Sequence, residues 1–373
     1  MRTLALLFGC ILLIIVLVDA FETVILARRA QRIFRITRYF YLLSWKPYSA
    51  IARLIASGRR REYYLSIYGP LSLILLLGFW AVGLIAGFGA VQWALRIRLN
   101  GNPLDLPTAI YFSATSFFTL GLGEPNNDAS KYLMVVEAGL GFSFLGLVIG
   151  YLPVLYQSFS NRERRISLLD ARAGSPPSAA ELILRQGASP DRLEQQLADW
   201  EEWAAELLEG QLSYSMLAYF RSQHANQSWL AALTTIVDAS ALVIAGAEHD
   251  LKHQAELTFA MGRHALVDLA TLFSTEPKDR QFERLTSVNF AQLMVVLKAS
   301  PTALDPSLIS EPALKHLRQM YEPYAYALGQ HFLIALPPWF PGEKKRDNWQ
   351  TTSWDRFLPG FAVSDPFTFR GDE

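Results

Sequence analysis

Apolar residues run through positions 3–18 without a charge, until Asp19 and Glu22 interrupt them. With residues 21–27 added, the run can cover a hydrocarbon core of roughly 30 Å at about 1.5 Å per residue. A second run, residues 63–95, has no charge at all, and a third, residues 132–161, has only Glu137. The pattern predicts three membrane-spanning helices. Between the second and third, the periodicity changes. An irregular "RIRLNGNPLDL" leads to Pro107, which suits a first helical turn. "PTAIYFSATSFF" then predicts a helix of about three turns, apolar enough to enter a membrane and too short to cross it. Thr119-Leu120-Gly121-Leu122-Gly123-Glu124 follows, then the polar "PNNDASK".

Beyond a break of small residues and prolines at 171–181, apolar positions recur every three or four residues. They predict a bundle of five to seven helices. Residues 229–247 are apolar enough for a fourth span, but Asp238 at their centre costs about 2.5 kcal/mol or more on insertion scales. That stretch therefore reads as a buried bundle helix. The expected fold is an all-α membrane protein: three transmembrane helices with a re-entrant pore helix and filter, then a cytoplasmic α-helical bundle. The segments are an N-terminal span (1–27), a basic interfacial linker (28–62) and a membrane module (63–161). A linker (162–178), the helical domain (179–336) and an irregular tail (337–373) complete the chain.

Composition agrees with a membrane part. The 373 residues are 51% apolar, with a mean hydropathy of +0.18. The single cysteine, Cys10, excludes an intrachain disulfide framework. The net charge of zero hides an asymmetry: residues 1–161 hold 14 Lys/Arg and 7 Asp/Glu, and the remainder is acidic to the same degree. Ten of those basic residues, and no acid, lie between Arg28 and Arg61. Such a block stays cytoplasmic. This places the N-terminus outside and the C-terminal domain in the cytoplasm, and it argues against reading the first run as a cleaved signal peptide. Within the block Ile33, Phe34, Tyr41, Leu42 and Trp45 fall at helical spacing. They predict an interfacial helix on anionic lipid rather than a nucleic-acid site, since the block is held between two spans.

The glycine-alternating stretch is the candidate site. Backbone at membrane depth is tolerated where it is buried in protein or lines water. A row of carbonyls can replace an ion's water shell. Aiming them at one axis needs unusual dihedrals at alternate residues, which glycine accepts most readily, and Gly121 and Gly123 have that spacing. Thr119 can add a hydroxyl at the inner end. The C-terminus of the short helix directs partial negative charge at the same place, favouring a cation. The plain alternative is a glycine-rich turn, but a turn does not need a helix and some thirty residues. Glu137 is expected to pair within this module with a hydroxyl such as Thr115 or Ser116, as support for the short helix.

Thr119-Leu120-Gly121-Leu122-Gly123-Glu124 resembles the Thr-Val-Gly-Tyr-Gly-Asp filter of the potassium-channel family. "YFSATSFF" is similar to its pore helix and "VVEAGLGFSFLGLVIGYL" to its inner helix. The resemblance, to two-transmembrane bacterial potassium channels, spans about residues 65–158 and concerns the pore module only. It implies an ion path at Thr119, Leu120, Gly121, Leu122 and Gly123, with the Glu124 carboxylate at the outer mouth. It implies a gating hinge at Gly139 or Gly141, a homotetramer in a bacterial inner membrane, and potassium as the conducted monovalent ion, with no cofactor. Leu122 stands in place of the family's Tyr and Phe118 where Thr is common. These departures leave a non-selective cation channel as the nearer rival.

Other chemistry is sparse. His249 and His253 stand at i and i+4, without a third ligand at a convincing spacing, and read as a solvated helix face. No nucleotide-binding glycine motif and no catalytic set of residues is visible, so an enzyme is not expected. A cation channel modulated by its helical domain, which is free to take a cytoplasmic protein or ligand, is the first reading. A membrane-anchored, partner-binding module without conduction is the second.

Overall fold

A computed structural model describes residues 1–26, 36–99, 102–123, 125, 128–186, 188–224, 226–278, 283–340 and 347–350. The chain divides into two compact units, Met1–Gln157 and Ser158–Glu373. Apart from one ladder of two-residue strands, regular structure among the described residues is helical.

The first unit is built around α3, Arg59–Ala94. Against it lies α1, Arg2–Val24, along a seam that side chains would block. A Cβ on Gly9 would sit 2.7 Å from the Gly87 carbonyl oxygen, and one on Gly83 would meet Val16 at 2.9 Å. Glycines one turn apart let two apolar helices approach until their backbones touch, which is how helices associate when water supplies no drive. Most of α1 outside the seam is exposed: only 17% of its apolar window is buried.

Asp19, the first charge after the opening apolar run, is only 4% exposed. Its carboxylate accepts from the Thr37 backbone N–H at 3.2 Å, the Thr37 hydroxyl at 2.6 Å and the Trp80 indole at 2.9 Å. It thereby holds the first turn of α2, Ile36–Leu54, to α1 and α3. Along its length α2 presents aromatic rings to α3: Tyr48 stacks on Tyr64 with centroids 4.3 Å apart, and Trp45 lies 4.7 Å from Tyr68. Leu43, Ile51 and Leu54 on its other side are exposed. Tyr41 and Trp45 are therefore anchors to α3, whereas Ile33 and Phe34 lie outside the described residues. After α3 come β1 (Arg98–Leu99) paired antiparallel with β2 (Asn102–Pro103), then α4, Leu106–Phe117, and α5, Asp128–Ala173.

The continuity of α5 differs from the segment bounds given above. The chain remains helical through residues 162–173, where a linker was expected, and the division between units falls after Gln157 instead of residue 161. The stretch "NRERRISLLDARA" is mostly polar. Ile166, Leu169 and Ala173 nonetheless form a buried face at helical spacing. Arg162 is buried as well, donating to the Leu217 and Phe220 carbonyls at 2.7 and 2.9 Å. The helix stops at Gly174, whose φ is +84°.

The second unit continues with α6 (Ala179–Gln186), α7 (Pro190–Ser213), α8 (Trp229–Gly246) and α9 (His249–Leu272). Then come α10 (Ser287–Ala299), α11 (Glu311–Gln319) and α12 (Glu322–Phe332). By length and composition α8 is a fourth candidate span, but 89% of its apolar window is buried in protein, against 11% for α5. It is the core helix of this unit. Asp238 on α8 forms an ion pair with Arg284 and accepts from the Tyr321 hydroxyl. Arg284 also reaches Glu322 at 3.1 Å. Burial works to lower the Arg284 pKa, but Asp238 outweighs it and the net shift is upward. Burial, with Asp238 adding, pushes the Tyr321 hydroxyl well above its ordinary value. A short turn at Asn348–Gln350 lies in the segment expected to be an irregular tail. Beside it Asp347 accepts from the Ser175 N–H at 3.1 Å and from Arg185 at 2.7 Å.

Candidate functional site

The site starts with the cap of α4. Asp105 accepts the Thr108 N–H at 3.1 Å, and Pro107 occupies the first turn, where its missing N–H costs nothing. Those bonds to Thr108 hold the Asp105 carboxyl below its usual range. Ala109 and Phe112 of α4 pack with Ile97 and Leu104, and Trp93, Leu133 and Met134 close over them. Gly89 lets α4 come close to α3: a Cβ there would lie 2.9 Å from the Ile110 Cα.

At its C-terminus α4 holds the next segment by its own carbonyls. The Thr119 N–H donates to Ser116 O at 2.9 Å, and the Leu120 and Gly121 N–H groups donate to Thr115 O at 2.7 and 3.3 Å. The left-handed region is then occupied at every second residue: Thr119 at φ +59°, Gly121 at +64° and Gly123 at +108°, with Leu120 and Leu122 between them outside it. Glycine spacing marked two of these positions. Thr119 is the third, and a threonine there is strained unless its surroundings hold it; the Ser116 and Thr115 carbonyls do so. Phe118, Leu120 and Leu122 are each more than half exposed in the single chain. Glu124 lies outside the described residues.

Glu137, on α5, is fully buried. Its partners differ from those expected. The Thr115 and Ser116 hydroxyls donate to their own helix, at Phe112 O, over 2.8 and 3.0 Å. Hydroxyls in a helix often take the carbonyl one turn back, and that leaves these two unavailable. Glu137 meets instead the Gln92 amide of α3, which donates at 2.7 Å, and the Ser113 hydroxyl of α4. Ser113 Oγ is also 2.8 Å from the Ile85 carbonyl. Gln92 and Ser113 were missed because a lone polar residue in an apolar helix reveals no partner by spacing.

The two candidate hinge glycines behave differently. Nothing lies within 4 Å of a Cβ built on Gly139, whereas one on Gly141 would fall 1.9 Å from the Phe117 carbonyl oxygen. Helix α5 is unbroken through both. His249 and His253 are exposed on α9, and no cluster of three metal-ligating side chains occurs among the described residues.

Residues 74–157 match the family model described as ion channel. The matched stretch runs from within α3 through β1, β2, α4 and the left-handed residues to α5 at Gln157. This ion-channel segment therefore holds the whole candidate site, while α1, α2 and the second unit lie outside it. No curated protein and no solved structure matches the chain.

Proposed function

We propose that the chain is one subunit of a tetrameric, potassium-type cation channel of the cell membrane, not an enzyme. Ions pass along the backbone of Thr119, Leu120, Gly121, Leu122 and Gly123, exchanging water for carbonyl oxygens, with Glu124 at the outer mouth. The observation that carries this reading is the alternation of left-handed residues at 119, 121 and 123 directly after a short capped helix, within the ion-channel segment. The partial negative charge at the C-terminus of α4 suits a cation there.

One chain supplies one strand of such a path, so a ring of four is needed to close it. The exposure of Phe118, Leu120 and Leu122, and of Val135, Phe142, Leu145 and Ile149 on α5, supports neighbours in the ring. In this reading α1, α3 and α5 cross the membrane with the N-terminus outside. The basic segment 28–61 rests on anionic lipid through α2, and the helical unit modulates conduction from the cytoplasm. Leu122, half exposed and without a hydroxyl, favours one second reading, a cation channel that also passes sodium.

The test is the purified chain in planar bilayers under opposed potassium and sodium solutions, with the mass of the assembly measured alongside. A tetramer with a potassium-dominated reversal potential is expected. A reversal potential near zero selects the non-selective channel. A monomer or dimer without current leaves only an anchored, partner-binding module.

A further inference from the structure

The contacts of Glu137 require more protons than its neighbours can supply. Three oxygens lie in a row: Ile85 O on α3, Ser113 Oγ on α4 and Glu137 Oε1 on α5, with Ser113 Oγ 2.8 Å from Ile85 O and in a short hydrogen bond with Glu137. A hydroxyl has one proton, so Ser113 can fill one gap only. The other carboxylate oxygen already accepts from Gln92 at 2.7 Å. The second proton has a single source. Resting on the channel reading above, we propose that Glu137 is a protonated positioning residue: it donates to Ser113, which donates to Ile85, and this relay ties α5, α4 and α3 together behind the ion path.

The surroundings favour the neutral acid. Residues 63–95 of α3, all of α4 and residues 132–161 of α5 contain no other Asp or Glu, and no Lys, Arg or His. A fully buried carboxylate there would have no cation within these three stretches to offset its desolvation; on α1, which also packs on α3, Arg2 stands over Trp93. Glu124, in the loop that joins α4 to α5, is outside the described residues. The relay reaches the ion path in two residues, because Ser113 precedes Thr115, whose carbonyl holds the Leu120 and Gly121 N–H groups. Ionising Glu137 removes one proton from the row. Two oxygens then face each other without one, α4 shifts, and the geometry at Leu120 and Gly121 is lost.

The experiment reads potassium flux from liposomes across a pH series, together with the infrared carbonyl band of a protonated carboxyl, for the full chain and for Glu137→Gln. Glutamine keeps both bonds, its amide donating to Ser113 and its oxygen accepting from Gln92. The wild type should show the band at neutral pH. It should lose the band and about tenfold of its flux together as the solution becomes alkaline, the factor set by one buried hydrogen bond left unmade. Glu137→Gln should lack the band and conduct without pH dependence. A wild type without the band, or a Glu137→Gln flux that follows pH as the wild type does, overturns the proposal. No flux from either protein, with the band present in the wild type, removes the channel reading and leaves the protonated Glu137 standing.

Discussion

Gly141→Ala tests how α4 is held against α5. The added methyl carbon would lie 1.9 Å from Phe117 O, 2.8 Å from Phe117 C and 3.1 Å from Phe117 Cα. These are backbone atoms, so no rotamer change relieves the overlap. Restoring van der Waals contact requires the two segments to separate by roughly 1–2 Å. Overpacking of this kind costs about 1–3 kcal/mol, against a gain of about 1 kcal/mol from replacing a helical glycine by alanine. The net expectation is a loss of up to about 2 kcal/mol. Gly139→Ala has open space at the same point and should gain up to about 1 kcal/mol. The pair is read by thermal dissociation of the assembled protein in detergent and by potassium flux in liposomes. Gly141→Ala should dissociate at lower temperature and lose flux, since Phe117 leads directly into the proposed ion path; Gly139→Ala should do neither. A Gly141→Ala protein as stable and as conductive as Gly139→Ala would refute the packing argument. Lost gating in Gly139→Ala alone would make that glycine a hinge.

Three further outcomes follow from the contacts. Asp19→Ala leaves the Thr37 N–H and the Trp80 indole without their acceptor, while the Thr37 hydroxyl keeps only the Thr23 hydroxyl at 3.2 Å; at about 1–3 kcal/mol for each buried orphan, α2 should detach, read as faster proteolysis near residue 36 and altered Trp80 fluorescence. Arg284→Ala strands Asp238 in the core of the second unit, which should cost about 3–5 kcal/mol of that unit's stability in denaturant titration of the full chain, while Arg284→Lys retains part of it. Asp170 has its pKa raised, by burial first and with Asp347 adding. A group raised in the folded state contributes stability below its unfolded pKa and loses it as pH rises through the folded value, so Asp170→Asn should flatten that fall in a melting series against pH.

The elements of the first unit were readable because apolar run length and the short helix before Thr119 are local properties of the chain. The glycine spacing pointed to positions 121 and 123, but Thr119 shares their backbone conformation through carbonyls of the preceding helix turn, which no spacing rule reveals. Asp19 read as the end of a span, yet it is a buried cap on a helix seventeen residues later, and its role depends on Trp80 arriving from α3. The choice of Glu137 partners failed for the reverse reason: Thr115 and Ser116 were near enough, but their hydroxyls were already committed to Phe112 O. Residues 162–173 misled because a helix with one buried face and a charged exterior has the composition of a linker. Asp238 pointed to a helix buried in protein, and α8 is buried, with Arg284 and Tyr321 as partners of that carboxylate.

The ion path is tested by potassium flux from liposomes containing equal amounts of assembled wild type and Gly121→Ala. Gly121 has φ +64°, and nothing lies within 4 Å of an added Cβ. Alanine there disturbs the backbone conformation without a packing clash, at about 1–2 kcal/mol per chain. Flux from the wild type is expected, with little or none from Gly121→Ala in an intact tetramer. Equal flux from the two proteins, or none from a tetrameric wild type at any pH, would contradict conduction along residues 119–123.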